Sequence, residues 1–217
     1  MNEFELILRK EIFPHWIIYA LLFSIIILSV LKYQREIVFS NLKAALFNPP
    51  SSIPFSKGEI SFFGSVNWIL LLNYFLVSAL AVYMILVYFD HVSYWLVILP
   101  IAYYAFQTSA LFLIGLLSGE SKKIQENILL LNFTTHNIGI LLIPILLAWV
   151  LNPNLSTYVI DVLAIVFIGA HLIRVFRGVF LALRNKVLWY YIILYLCGLE
   201  IWPVIVGFLL LSPDSIG

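Results

Sequence analysis

Apolar residues run along this chain in six blocks, at residues 15–31, 66–89, 94–117, 128–151, 158–176 and 188–211, each bounded by charge or by turn residues. Most are near the ~20 residues that a helix needs to cross a bilayer core about 30 Å thick, so each block is expected to be a transmembrane helix. The fifth carries Asp161, His171 and Arg174, and its helix is expected to continue through residues 179–183 beyond the membrane. Connections are short except at 32–65, where Asn48-Pro49-Pro50-Ser51-Ser52-Ile53-Pro54 forbids regular structure. Ahead of that break, Ile37, Val38, Leu42 and Leu46 with Arg35 and Lys43 form an amphipathic stretch, expected as a helix lying in the interface. The predicted fold is all-α: one integral membrane domain over residues 1–217, a six-helix transmembrane bundle with an interfacial helix after the first span.

Composition agrees. Hydrophobic residues make up 63% and charged residues 11%, against about 25% charged in a soluble domain. A net charge of +1 gives no basic field for nucleic acid. The single cysteine, Cys197, rules out an intrachain disulfide or a Cys-cluster zinc site. The N-terminus mixes Glu3, Glu5, Arg9, Lys10 and Glu11 and shows no small-x-small cleavage site, so the first block is expected to be an uncleaved span. Counted on alternate sides of six spans, ten of the twelve basic residues share one side: Lys32, Arg35, Lys43, Lys57, Lys122, Lys123, Arg174, Arg177, Arg184 and Lys186. Only Arg9 and Lys10 fall opposite, so both termini are expected to be periplasmic. Trp16, Trp95, Trp149 and Tyr158 then mark outer boundaries, and Trp68, Trp189, Tyr190 and Tyr191 inner ones. Pro100, Pro144 and Pro203 fall within spans, where kinks are expected.

The candidate chemistry lies in the polar residues inside the blocks. Glu200 stands almost at the middle of the last one, where a carboxylate costs roughly 2.5–3.5 kcal/mol on insertion scales and must face protein or water, be paired, or be protonated. Asn73, Gln107, Asn132, His136, Asn137, His171 and Arg174 favour the basic half by depth, with Asn73 and His136 at about the same level when counted at 1.5 Å per residue. Asn132 and His136 are four apart and His171 and Arg174 three apart, so each pair shares a helix face, and Thr135 and Gly139 add polar or small surface. One reading is structural: interhelical hydrogen bonds that fix the bundle. A second is a proton or ion path in which Glu200 exchanges protons and His136 or His171 relays them. A third is a b-type haem held by His136 and His171; no other cofactor or metal is expected. The basic rim of Arg177, Arg184, Lys186, Lys122 and Lys123 suits an inside anchor or an anionic lipid headgroup. The chain has neither Gly-x-Ser-x-Gly nor His-Glu-x-x-His, so no hydrolase centre is expected.

Residues 177–185, Arg-Gly-Val-Phe-Leu-Ala-Leu-Arg-Asn, and 195–203, Tyr-Leu-Cys-Gly-Leu-Glu-Ile-Trp-Pro, resemble the ending of an uncharacterised multi-pass inner-membrane family of Bacteroidota, the domain of unknown function 4271. The similarity extends more loosely over about 94–211. It implies an inner-membrane location in a diderm bacterium and no catalytic residues; the family's Glu-x-x-Pro element would correspond to Glu200 and Pro203. The expectation is a non-enzymatic membrane component or assembly factor of an envelope complex, meeting lipid and a membrane-protein partner or a second copy of itself. The alternatives are a small transporter or proton conduit and a haem-binding subunit.

Overall fold

The computed structural model describes residues 13–35, 38–40, 42, 64–90, 94–118, 121–184 and 189, and all regular structure among them is helical. Five long helices follow one another: α1 (Trp16–Gln34), α2 (Ser65–Tyr88), α3 (Leu99–Ser118), α4 (Ser121–Leu151) and α5 (Ser156–Arg184). Each contains a segment long and apolar enough to cross a membrane. They correspond to the first five blocks. The sixth, with Glu200 and Pro203, lies outside the described residues apart from Trp189, which is helical.

The boundaries move where polar residues are good helix formers. α4 begins at Ser121, ahead of the apolar block, because Lys122, Lys123, Gln125 and Glu126 propagate a helix readily. α5 runs on to Arg184, as expected from residues 179–183. Pro100 takes the second position of α3, after a 3₁₀ turn at Tyr94–Ile98, where a missing N–H costs nothing. Pro144 stands inside α4 and withholds the N–H that the Ile140 carbonyl would otherwise accept.

α2 is the central helix, with half of its 24 residues buried. It packs most extensively on α4 and also on α1 and α3, while α5 leans on α4; α3 and α5 share only sparse contact. The main core joins Ile17, Leu21, Val77, Met84, Leu142, Leu146 and Trp149. A second core sits where α1 ends and α2 begins, the end that carries Lys32 and Arg35 and is called here the basic end. There Val38 and Leu42 pack on Leu31, Val66, Leu70, Leu130 and Phe133. Residues 38–40 and 42 are helical, so the apolar face of the amphipathic stretch meets the bundle at these two positions.

Candidate functional site

A chain that buries hydroxyls, amides and a guanidinium among apolar helices must pair them, since each orphan forfeits the hydrogen bonds it had in water. Here the pairs link different helices. Ser24 Oγ on α1 donates to Asn73 Oδ1 on α2 at 2.5 Å. Asn67 Oδ1 on α2 and His136 Nε2 on α4 are 2.9 Å apart. The Tyr104 hydroxyl on α3 donates to Asn132 Oδ1 on α4 at 2.7 Å. Arg174 Nη1 on α5 donates to Gln107 Oε1 on α3 at 2.6 Å. Asn137 Nδ2 reaches the carbonyls of Phe133 and Leu42, at 2.8 and 3.3 Å, and so ties the segment after α1 to α4. Ser78, Thr134 and Thr135 instead return their hydroxyl protons to carbonyls one turn back on their own helices.

Asn73, Gln107, Asn132, His136 and Arg174 are all buried, as the sequence suggested, but the described bonds pair them with separate partners. His136 does not meet Asn73. Counting from apolar boundaries puts those two at one depth, whereas His136 bonds Asn67 in the first turn of α2 and Asn73 bonds Ser24. The count fails because the two apolar blocks are staggered along the bundle: His136, the ninth residue of its block, faces Asn67, the second residue of the other. His171 is half-buried, three residues from Arg174 on α5. Arg177 is half-buried and Arg184 exposed. Lys122 and Lys123 fall in the first turn of α4, with side chains outside the described residues, and Lys186 lies outside them altogether.

Sequence reasoning missed Ser24, Asn67 and Tyr104. Asn67 sits beside Trp68 at a block boundary and reads as a solvated edge, and Tyr104 reads as one more aromatic. Ser24 is a lone hydroxyl amid leucine and isoleucine; its isolation was the available signal.

With Asn67 Oδ1 as acceptor, the His136 proton sits on Nε2, and Nδ1 is left as a buried acceptor without a partner. An iron ligated through Nε2 would have to displace Asn67. The same lack of a partner holds for Gln107 Nε2, Asn127 Oδ1 and Asn132 Nδ2. Among the described residues, no three His, Cys, Asp or Glu side chains gather as a metal site.

No curated protein and no solved structure matches the chain. The family model described as a domain of unknown function (DUF4271) does match, over residues 17–211, and the chain belongs to that family.

Proposed function

We propose that the protein is a non-enzymatic integral component or assembly factor of a bacterial envelope complex, held in the inner membrane with both termini periplasmic. The observation that carries this reading is how the polar groups are used. Ser24, Asn67, Asn73, Tyr104, Gln107, Asn132, His136 and Arg174 are committed to bonds between helices, which is how a bundle without a large aqueous surface fixes its shape. Outward, the chain offers apolar relief: on α5, Tyr158, Ile165 and Phe176 are each 69–71% exposed. Such a surface suits contact with lipid and with another membrane helix. The ten basic residues on one side of six spans support the orientation, and Arg177, Arg184, Lys186, Lys122 and Lys123 there would hold anionic headgroups.

The test is purification of the tagged protein from its native membrane in mild detergent. A membrane protein should accompany it at fixed stoichiometry and be lost when Ile165, Ile168 and Phe176 are replaced together by alanine. A solitary protein that carries protons across liposomes would overturn the reading.

One observation favours a proton conduit as the second reading. Asn127, Asn132 and His136 on α4 and Gln107 on α3 each keep a buried polar atom without a protein partner, the condition under which internal water is retained. In reconstituted vesicles a conduit would lose proton flux in Glu200→Gln; unchanged flux would remove it.

A further inference from the structure

The chain leaves α1 at the basic end and then comes back into the bundle. Two contacts fix the heights. Ser24 bonds Asn73, and Gly139 lies against the Tyr74 main chain, so these residues mark one level across α1, α2 and α4. Gln34, the last residue of α1, is ten residues past Ser24, roughly 15 Å nearer the basic end. Arg35 makes the turn: its N–H bonds the Leu31 carbonyl, and its own carbonyl accepts the Val38 N–H at 3.0 Å. The Leu42 carbonyl accepts from Asn137 Nδ2, which also bonds the Phe133 carbonyl and so lies only about 6–9 Å from the Gly139 level. Between the end of α1 and Leu42 the backbone has therefore returned roughly 6–9 Å into the bundle. Val38 is 1% and Leu42 2% exposed, packed among Leu31 of α1, Val66 and Leu70 of α2, and Leu130 and Phe133 of α4. At that depth a helix-end carbonyl is tolerated only where protein surrounds it and a donor meets it. Asn137 is that donor, which accounts for an amide in the apolar stretch of α4.

We propose that the segment carrying Val38 and Leu42 is a re-entrant plug that closes the basic mouth between α1, α2 and α4 and shields the Asn67–His136 pair from water on that side. The neighbours of the plug place it there. Val66, on which it packs, precedes Asn67, and Asn137, which holds its carbonyl, follows His136. Among the described residues the plug is held lightly, by Val38, Leu42 and the half-buried Phe39 and by one hydrogen bond of 3.3 Å, the longer of the two that Asn137 Nδ2 makes. Its withdrawal toward the interface breaks none of the described bonds between the long helices, and Asn137 keeps its 2.8 Å bond to Phe133 whether the plug is in or out. The amphipathic stretch after α1 thus acts as a closure built into the bundle and removable from it. The inference goes beyond the envelope-component reading and holds for a component or a conduit alike.

Two measurements on the full chain in its membrane test it, both in a Cys197→Ser parent so that only introduced thiols report. The first reads depth. A short bifunctional thiosulfonate reagent should cross-link Leu42→Cys to Asn137→Cys and not to Ser121→Cys, which stands at the start of α4, about 24 Å away along the helix. The second reads closure. Leu70→Cys, at 1% exposure, should resist a membrane-impermeant maleimide applied to both faces of opened membrane fragments, and adding Leu42→Asp, which drives a charge into the apolar seat, should raise its labelling rate at least tenfold. Val77→Cys, fully buried in the main core, should stay unlabelled in both backgrounds. No cross-link at position 137, a cross-link at position 121 instead, or a Leu70→Cys rate unmoved by Leu42→Asp each overturns the proposal. If Leu42→Asp loosens the whole bundle, shown by Val77→Cys reacting as well, the cross-link decides alone, because it needs no aspartate.

Discussion

A β-carbon placed on Gly139 of α4 would lie 3.0 Å from the Tyr74 Cα and 3.1 Å from the Tyr74 Cβ on α2. The two helices meet backbone to backbone, the kind of approach that small residues permit where no hydrophobic effect presses helices together. Since the nearest atom is main chain, no rotamer change at Tyr74 can make room. Gly139→Ala is expected to force α2 and α4 apart and to cost about 1–3 kcal/mol. A lower midpoint of thermal unfolding in detergent checks this, and Gly169→Ala, where no atom lies within 4 Å of the added carbon, should leave the midpoint near that of the parent.

The Asn67–His136 bond joins the first turn of α2 to the middle of α4, with both side chains at most 1% exposed. Removing one partner strands the other in a medium that offers no water. Asn67→Leu and His136→Leu should each destabilise the bundle, while the double variant should be less harmful than their sum by about 0.6–2 kcal/mol, the range found for hydrogen bonds between membrane helices. The measurement is a double-mutant cycle in unfolding free energy. Additivity would mean that the two side chains act independently.

How far the sequence could be read follows from these pairs. Helix positions were legible because about 20 consecutive apolar residues leave the backbone few choices but to bond to itself. Helix ends were legible in part too, since Lys32 and Arg184 fall in the last turns of α1 and α5, just beyond the apolar blocks. Partners were not. Whether His136 meets Asn67 or Asn73 depends on how α4 is staggered against α2, which does not follow from the hydropathy of one chain. Gly139 was visible only as a small residue; that it faces Tyr74 is a fact of packing.

Asp90 has a φ of 57°, in the left-handed region, immediately after the cap of α2 at Phe89. Its N–H bonds back to the Val87 carbonyl, so the chain turns off the helix there. Glycine enters this region without penalty, asparagine with little, and a β-branched residue with a cost of roughly 1–2 kcal/mol. Asp90→Gly and Asp90→Asn should keep or raise the unfolding midpoint. Asp90→Val should lower it, and a midpoint unchanged by valine would show that the turn opens at no cost.

Trp149 is fully buried near the C-terminal end of α4, between Phe13 at 5.3 Å and Tyr88 at 6.1 Å between ring centroids, both edge-on. It thereby closes the bundle opposite the basic end, joining the approach to α1, the end of α2 and α4. Its Nε1 makes no hydrogen bond, so the ring acts through volume and ring contacts alone. Trp149→Phe, which keeps an aromatic edge and loses no bond, should cost far less than Trp149→Ala. Alanine leaves a cavity for which soluble cores lose about 3–5 kcal/mol, less whatever lipid can fill. Had Nε1 served a hidden acceptor, phenylalanine would be nearly as harmful as alanine, so the order of the two unfolding midpoints tells a packing role from a hydrogen-bonding one.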